Sequence, residues 1–281
     1  MTIDGRTRLY GIIGNPVAHS LSPAMHNSAF AALGENRVYL PFQTDNLQEA
    51  VAGLSGLGIE GVSVTIPFKE EVMKFLDEID PVAEKIGAVN TVLVRNENGS
   101  KRRYGCNTDW LGGNRAVAEQ IELRGSRAVI LGAGGAARAI GFGLLEAGCA
   151  IEIRSRTESR GRELAGQLGC QWTSLADRPT AGADILINST SVGMEPDVRR
   201  SPIDGDLLGG FKVVMDIVYA PLQTKLLKDA GAAGCSCISG LEMLLYQGVA
   251  QFELWTGLEA PVQVMREALQ RGVAGRPEKS A

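Results

Sequence analysis

Histidine is scarce in this chain of 281 residues, and its cysteines lack the spacing of metal-ligand or disulfide pairs. Only two histidines, His19 and His26, are present. They are too few for a His-rich metal centre, and a Ser-His-Asp hydrolase would depend on one of them without any GxSxG motif. The five cysteines are odd in number and lack CxxC spacing, which argues against a disulfide framework and a zinc site. We therefore predict no metal and no hydrolytic chemistry.

Long apolar runs and an excess of basic residues are absent as well. No apolar segment approaches the about 18 residues of a membrane-spanning helix, and the first residues, MTIDGRTRLYGIIG, lack the pattern of a signal peptide. The net charge of −4 provides no basic field that would attract nucleic acid. We predict a cytoplasmic protein with a small-molecule substrate and with neither a nucleic-acid nor a membrane partner.

The segment AVILGAGGAAR, residues 128–138, is the most informative feature that is present. An apolar run breaks into glycines and then into small helix formers, which is typical of a strand that turns into a helix beneath a pyrophosphate. In this interpretation Gly132 permits the turn, Gly134 lets backbone N–H groups approach the phosphates, and Ala137 allows close helix packing. The alternative is an ordinary glycine-rich turn without a ligand.

The next predicted strand ends in arginines instead of a carboxylate. An NAD enzyme usually carries Asp or Glu at this place to bind the ribose hydroxyls. Here Arg154, Ser155, Arg156 and Thr157 follow one another, and Arg160 lies one turn into the next helix. Guanidinium groups bind a 2′-phosphate by charge-assisted hydrogen bonds, so the pattern favours NADP over NAD. The alternative is that these arginines, with Arg162, merely solvate a helix face.

Strand-like and helix-like segments alternate along the whole chain, which predicts an α/β fold with two mainly parallel sheets. Predicted strands are Tyr10–Ile13, Val38–Pro41, Gly61–Val64, Thr91–Arg95, Ala128–Leu131, Ala150–Arg154, Ile185–Asn188, Val213–Ile217 and Ser236–Ser239. Predicted helices lie near Pro23–Leu33 and Leu47–Leu57, from about Lys69, from Asp109 to about Leu123, and over Leu241–Thr256 and Pro261–Arg271. We expect a substrate domain over residues 1–106, completed by helices within 240–281, and a Rossmann-type domain over 107–239.

Polar residues follow several strands of the first predicted domain. Because ligands of open α/β sheets lie beyond the carboxyl ends of the strands, these residues are candidates for a site. They are Ser20, Ser22, Thr65, Lys69, Asn90, Asn107 and Asp109.

Eight motifs in this order carry a resemblance to a known family. They are GNPVAHSLSP, SVTIPFKE, GAVNT, NTDWLG, GAGGAAR, SRTESR, NSTSVGM and GLEMLLYQG. Together they cover essentially the whole chain and resemble the shikimate dehydrogenase family. The resemblance implies the reversible NADPH-dependent reduction of 3-dehydroshikimate to shikimate, a step of the shikimate pathway of aromatic amino acid biosynthesis, by a monomer or homodimer.

The resemblance also implies a role for each matching residue. Ser20 and Ser22 would bind the substrate carboxylate, and Tyr219 would lie near both the carboxylate and the nicotinamide. Lys69 and Asp109 would form the catalytic pair. The residues expected around the substrate hydroxyls are Thr65, Lys69, Asn90, Asp109 and Gln247. The residues expected to bind NADP are Gly132, Ala133, Gly134, Gly135, Ala136, Ser155, Arg156, Thr157, Arg160, Ile217 and Gly240.

Two positions depart from the family pattern. Ser63 stands where the family often has asparagine, two residues before the threonine of its motif. Ser155 stands where the family often has asparagine, before the arginine of the NADP loop. We expect Ser63 to shorten a side-chain contact near the substrate and Ser155 to shorten one near the adenosine ribose.

The residue types agree with ketone reduction. Hydride addition to a ketone leaves an alkoxide that must gain a proton, and the ammonium of Lys69 can polarise the carbonyl and donate that proton. Asp109 can orient the ammonium. His19, beside Ser20, is expected to be structural. Since no arginine accompanies Ser20 and Ser22, we expect a small hydroxylated carboxylate as substrate.

Two alternatives remain at this stage. One is a quinate/shikimate dehydrogenase that uses NAD, against which Arg156 and Arg160 count. The other is a non-catalytic, NADP-binding regulatory protein, which would have no need to retain Lys69 and Asp109.

Overall fold

The computed structural model describes residues 3–177 and 182–274, which form two compact units. Within these residues the first unit contains 3–108 and 247–274, and the second contains 109–177 and 182–246. Each unit is built on one sheet of six strands. The predicted α/β fold with mainly parallel sheets is thus confirmed. In the same residues no helix has the length and apolar character needed to cross a membrane.

The first unit has a mixed sheet with the strand order β2-β1-β3-β5-β6-β4. Its strands are β1 (Arg8–Gly14), β2 (Arg37–Gln43), β3 (Ile59–Val64), β4 (Glu78–Ile79), β5 (Thr91–Glu97) and β6 (Ser100–Cys106). Its helices are α1 (Ser22–Ala32), α2 (Leu47–Gly56), α3 (Pro81–Ile86), the second half of α8 (Gly240–Thr256) and α9 (Val262–Ala274). β1 pairs in parallel with β2 and β3, whereas β5 is antiparallel to both of its neighbours.

A hairpin that the strand predictions did not include joins β5 to β6. The two strands pair over their full length, from Thr91 opposite Cys106 to Glu97 opposite Ser100. The turn consists of Asn98 and Gly99, with φ of 52° and 84°. An Asn-Gly pair with two positive φ values is the usual two-residue hairpin turn, because its twist matches that of the strands. The dipeptide was the available signal, while the polar sequence SKRRYGC concealed the strand.

The helix predicted from about Lys69 is wrong. The chain forms only a short 3₁₀ helix, Glu71–Phe75, and then becomes extended in β4. The cause is Asp77. Its carboxylate accepts hydrogen bonds from the backbone N–H and the guanidinium of Arg103, and its own N–H donates to the Arg103 carbonyl. These bonds tie the segment to β6 and end any helix.

The second unit has an all-parallel sheet with the strand order β12-β11-β10-β7-β8-β9. Its strands are β7 (Arg127–Leu131), β8 (Ala150–Ser155), β9 (Gln171–Ser174), β10 (Ile185–Asn188), β11 (Val213–Asp216) and β12 (Ser236–Ser239). Its helices are α4 (Asp109–Ala118), α5 (Gly135–Glu146), α6 (Glu158–Leu168), α7 (Lys225–Ala232) and the start of α8, with a 3₁₀ helix at Gly205–Gly210. Counted from β7, this is the 3-2-1-4-5-6 order of dinucleotide-binding sheets.

The order reverses between β7 and β10, which lie side by side at the centre. Such a switch point opens a crevice beyond the carboxyl ends of the strands, where dinucleotides bind. The strands predicted in this unit agree with the observed ones to within one residue at each end. The short polar strand β9 was not predicted, and α4 ends at Ala118, earlier than the predicted Leu123.

Candidate active site

The start of α1 carries Ser20 and Ser22. α1 begins at Ser22, with Pro23 in its first turn, as the sequence predicts. The Ser20 hydroxyl accepts a hydrogen bond from the Ser22 N–H at 3.2 Å. Ser22 is buried and Ser20 is half-buried. The two hydroxyls therefore lie at the positive end of the α1 dipole, where a carboxylate is favoured.

Lys69 is held by its backbone beside the first residues of β5. The Val89 N–H donates to the Lys69 carbonyl at 2.8 Å, and the Val64 N–H donates to the Asn90 carbonyl at 2.7 Å. The Thr65 N–H donates to the Ile13 carbonyl at 2.9 Å, which fixes the loop to β1. These bonds bring together three predicted site residues, Thr65, Lys69 and Asn90, at the end of the first sheet where β1 and β3 finish.

The side chain of Asn90 has a single orientation that its partners define. Its Oδ1 accepts hydrogen bonds from the Thr108 N–H and from the Thr91 hydroxyl, each at 2.7 Å. Since a backbone N–H is only a donor, the atom that faces it must be the oxygen. The Asn90 amino group consequently points to the Thr108 hydroxyl at 3.0 Å and to Gln247 Oε1 at 3.4 Å. Asn90 and Gln247 are therefore neighbours, as two residues of one site would be.

A buried chain of hydrogen bonds extends from Asn90 toward α1. The Gln251 amide group donates to the Asn90 carbonyl and to the Thr91 hydroxyl. Ser63 donates to Gln251 Oε1 at 2.8 Å and accepts from the Tyr39 hydroxyl at 2.6 Å. The sequence reading did not include Gln251 or Tyr39. Gln251 stands four residues after Gln247, on the same face of α8, and that spacing was the available signal.

The partners of Ser63 bear on its departure from the family pattern. Its hydroxyl is buried and bonded to Tyr39 and Gln251, so it acts in the packing behind Asn90. His26 stacks on the Tyr39 ring at 4.5 Å, and burial lowers the pKa of His26 to about 3. His26 is thus a neutral, structural ring, while His19 is exposed.

Asp109 is the first residue of α4 and directly follows Thr108, whose N–H is bonded to Asn90. It is buried, with 4% of its surface exposed. Asn107, one residue before Thr108, donates to the Ala88 carbonyl at 2.9 Å. The segment that precedes Asp109 is therefore fixed to the first unit by two asparagine side chains.

The end of β11 is organised by the buried carboxyl of Asp216. It accepts hydrogen bonds from Asn188 Nδ2, the Val218 N–H and the Thr224 hydroxyl. Burial raises the pKa of Asp216. The half-buried residues Ile217 and Tyr219 follow this carboxyl, and Gly240, at the start of α8, lies against the Ile217 carbonyl. These three predicted residues are thus assembled at one strand end of the second sheet.

The glycine-rich turn between β7 and α5 has the predicted geometry. Gly132 has a φ of 116°, and a Cβ there would lie 2.6 Å from the Ser189 hydroxyl, so no larger residue fits. α5 begins at Gly135, and Ala137 is fully buried against the sheet. Space is open around Gly134 and Gly135. The first N–H groups of α5, including those of Gly135 and Ala136, lack partners within the helix, as an anion site requires.

The four arginines at the end of β8 and the start of α6 differ in their surroundings. Arg154 is buried, forms an ion pair with Glu152 at 2.7 Å and donates to the Asp177 carbonyl. Arg162 pairs with Glu158 and lies over the Trp172 ring. Arg156 and Arg160 are exposed. The interpretation of all four arginines as one solvated helix face is therefore wrong, because Arg154 lies inside the unit.

Ser155 is buried, and its hydroxyl is engaged within the protein. It donates to the Thr157 carbonyl at 2.9 Å and accepts from the Trp172 indole N–H at 3.0 Å. A contact of Ser155 with a ribose would have to use its backbone. Its neighbours Arg156 and Thr157 are exposed at the start of α6.

The second unit fits a phosphorylated dinucleotide. Gly132, Ala133, Gly134, Gly135 and Ala136 form an open turn at the N-terminus of α5. The exposed guanidinium groups of Arg156 and Arg160 follow the neighbouring strand, and no carboxylate stands at that strand end. In the described part of the chain no cluster of three His, Cys, Asp or Glu side chains is arranged to hold a metal ion.

Two family models match this chain. Residues 12–92 match the shikimate dehydrogenase substrate binding domain, and residues 240–270 match the shikimate 5′-dehydrogenase C-terminal domain. The first match includes Ser20, Ser22, Thr65, Lys69 and Asn90.

Curated and solved relatives match over nearly the whole chain. The chain is 47% identical to the NADP(+) shikimate dehydrogenase of Moorella thermoacetica, over 96% of this chain and 95% of that protein. It is also 47% identical to the Methanosarcina acetivorans enzyme of the same name, with 94% and 99% covered. The crystal structure of shikimate 5-dehydrogenase from Thermus thermophilus with NADP(H) and shikimate superposes with a TM-score of 0.85. That match has 40% identity and covers 94% of this chain and 99% of the other.

Replacing Ser63 tests the buried hydrogen-bond chain. Ser63→Ala removes the partner of both the Tyr39 hydroxyl and Gln251 Oε1, and we expect the free energy of unfolding to fall by about 1–3 kcal/mol. Urea unfolding followed by circular dichroism measures this change. Ser28→Ala, a serine substitution at a half-buried position of α1, is the control. If Ser63→Ala and the unchanged protein are equally stable, the hydrogen bonds of Ser63 contribute nothing to the free energy of unfolding.

Proposed function

Because this chain belongs to the shikimate dehydrogenase family, we propose that it catalyses the reversible, NADPH-dependent reduction of 3-dehydroshikimate to shikimate. The observation that carries the proposal is the backbone bond from Val89 to Lys69, next to the oriented amide of Asn90. It gives a lysine a defined place beside a hydrogen-bond donor for a hydroxylated ring. The relatives that match nearly the whole chain are named for the same reaction.

Substrate binding follows from the donors at the edge of the first sheet. Ser20 and Ser22, at the start of α1, bind the carboxylate, with the helix dipole adding to the attraction. Tyr219 is assigned to the same carboxylate. The Asn90 amino group donates to a ring hydroxyl by exchanging its long contact with Gln247, at 3.4 Å, for the substrate. Thr65 and Gln247 bind the remaining hydroxyls. Every one of these groups is neutral, so recognition depends on hydrogen-bond geometry.

Proton transfer is assigned to Lys69 and Asp109. Bound NADPH supplies the hydride that reduces the carbonyl carbon. The Lys69 ammonium donates a hydrogen bond to the ketone oxygen, stabilises the negative charge that develops there and transfers one proton to it. Asp109 is assigned the role of orienting the Lys69 amine. In the oxidation of shikimate, neutral Lys69 takes the hydroxyl proton back.

NADP selection is assigned to the exposed arginines after β8. The pyrophosphate is held by backbone N–H groups of Ala133, Gly134, Gly135 and Ala136 at the start of α5. Gly132 provides the turn, since its own N–H donates to the Arg154 carbonyl at 2.7 Å. Arg156 and Arg160 bind the 2′-phosphate, with the backbone of Ser155 and Thr157 alongside. Ile217 and Gly240 border the nicotinamide through their backbone. The alternative of a quinate/shikimate dehydrogenase that uses NAD gains no support from a strand end without a carboxylate.

We also propose that the enzyme works in the cytoplasm as a monomer or homodimer, without nucleic-acid or membrane partners. All five cysteines are free thiols, as in proteins of reducing compartments. The net charge of −4 does not favour a polyanionic partner.

The reaction itself is tested by offering the purified enzyme shikimate or quinate with NADP or NAD, and following absorbance of the reduced cofactor. We expect kcat/KM for shikimate to be about tenfold or more higher with NADP than with NAD, because two charge-assisted contacts depend on the 2′-phosphate. We also expect shikimate to be preferred to quinate, in agreement with the relatives' names. Preferred turnover of quinate with NAD, or no turnover with any pair, would refute the proposal.

Lys69→Ala tests the proton donor. We expect kcat to fall by a factor of about 10²–10⁴, with a much smaller change in KM for shikimate, because the ammonium acts mainly in the transition state. Lys74→Ala, which removes a lysine from the nearby 3₁₀ helix, is the control and should retain turnover. If Lys69→Ala works as fast as Lys74→Ala, another group must supply the proton.

Arg156→Ala tests the 2′-phosphate contact. The loss of one charge-assisted contact is expected to raise KM for NADPH by about 10- to 100-fold and to leave KM for NADH nearly unchanged. Arg124→Ala, an exposed arginine ahead of β7, is the control. An equal loss with both cofactors would mean that Arg156 supports the structure and does not select the phosphate.

A further inference from the structure

The loop that carries Arg156 is short, and both of its neighbouring residues are fixed. Ser155 ends β8, and Thr157 is the residue just before α6. The Ser155 hydroxyl reaches across Arg156 to the Thr157 carbonyl at 2.9 Å. The same carbonyl accepts the Gly161 N–H at 3.1 Å. The backbone on each side of Arg156 is therefore tied into one closed turn.

Trp172 supplies the bond that orients this turn. It lies in β9, which pairs with β8, and its indole N–H donates to the Ser155 hydroxyl at 3.0 Å. Because an indole only donates, the Ser155 oxygen must accept from it, and its single hydrogen is left for Thr157. The Thr157 carbonyl can only accept, so the Ser155 hydroxyl donates to it, and the bond from Trp172 fixes the position of the Ser155 oxygen.

The first turn of α6 rests directly on this pair. A Cβ at Gly161 would overlap both the Ser155 hydroxyl and the Trp172 indole nitrogen, so only glycine allows this approach. On the other side, the Arg162 guanidinium lies 4.6 Å from the Trp172 ring centroid and pairs with Glu158 at 2.7 Å. Arg160 belongs to the same turn of helix. Its backbone position is thus set by contacts with Trp172 and Ser155.

We propose that Trp172 and Ser155 are positioning residues for NADP selection. They hold the loop and the first helical turn so that Arg156 and Arg160 present their guanidinium groups at the spacing of one phosphate. Neither side chain is assigned a contact with the cofactor, because the Ser155 hydroxyl and the indole N–H are used in hydrogen bonds within the protein. The proposal rests on the assignment of Arg156 and Arg160 to the 2′-phosphate. It also gives a role to the serine that replaces the asparagine common at this place in the family.

Pre-organisation explains why such a device would be selective. An arginine that is already in place loses less conformational freedom when it binds a phosphate, so affinity improves only for a ligand with that phosphate. NADH lacks the group, and its binding depends on the turn at Gly132–Ala136 and on the nicotinamide end. A change that loosens the contacts of Trp172 should therefore weaken the binding of NADPH and leave the binding of NADH unchanged.

Trp172→Phe tests the proposal, because phenylalanine keeps an aromatic ring near Arg162 and removes the N–H donor together with one ring of the indole. We expect KM for NADPH to rise by about 3- to 10-fold, while KM for NADH and kcat change by less than about twofold. Calorimetric titration with adenosine 2′,5′-bisphosphate should show the same weakening, and adenosine 5′-phosphate should bind as before. This second measurement does not depend on catalysis.

Ser155→Ala removes both bonds and serves as an independent variant if Trp172→Phe folds poorly. It should weaken NADPH binding at least as much as Trp172→Phe. The double variant should be no worse than Ser155→Ala, because both changes break one link. Trp255→Phe is the matched control, since it removes an indole bond to the Val92 carbonyl in the other unit. It should leave the ratio of NADPH to NADH affinity unchanged.

The outcomes separate this inference from the function on which it depends. If Arg156→Ala loses NADPH preference and Trp172→Phe and Ser155→Ala do not, the positioning role is refuted and the phosphate contact stands. If Trp172→Phe and Ser155→Ala weaken the binding of NADPH and of NADH equally, these residues contribute only to general stability, and the proposal is again refuted. If Arg156→Ala keeps its preference for NADPH, both the phosphate contact and the positioning role are refuted.

Discussion

The oxygen of the Asn90 side chain accepts short hydrogen bonds from the Thr108 N–H and the Thr91 hydroxyl, each at 2.7 Å, and these bonds fix its orientation. The amino group is left facing Thr108 and Gln247. One end of this arrangement is β5, and the other is the segment that leads into Asp109 and α4. Much of the proposed substrate site depends on this contact, because it orients a donor and fixes the residue before Asp109, a member of the proposed catalytic pair.

The polar groups behind Asn90 are buried and bonded, which gives the site rigidity. Gln251, Ser63 and Tyr39 continue the chain of donors and acceptors toward α1. Burial raises the pKa of Tyr39, so its hydroxyl remains a donor at every physiological pH. A buried hydrogen bond left without its partner would be costly, and the chain therefore favours one arrangement of all its members. The second unit has a similar arrangement at Asp216, whose carboxyl accepts hydrogen bonds from Asn188 at the end of β10 and from Val218 just after β11.

The predictions from sequence succeeded where one segment contains its own reason to fold. AVILGAGGAAR forms β7, a turn with positive φ at Gly132 and α5, because the apolar run, the glycine and the small residues act locally. They failed where partners lie elsewhere. The segment after Lys69 has a helical composition, yet Asp77 binds Arg103 and the chain becomes a strand. The polar segment β6 forms a strand because the Asn98–Gly99 turn places it opposite β5, with which it pairs over its full length.

The sequence by itself determined the α/β class, the dinucleotide turn and the inventory of chemical groups, from Lys69 and Asp109 to Arg156 and Arg160. Tertiary structure decided which of the arginines face outward, and which residues orient Asn90 and Ser155. The physical reason is that a hydrogen bond requires two groups within about 3 Å, whatever their distance along the chain. Ser63 and Gln251 are 188 positions apart and share a buried bond, and no local pattern contains that information.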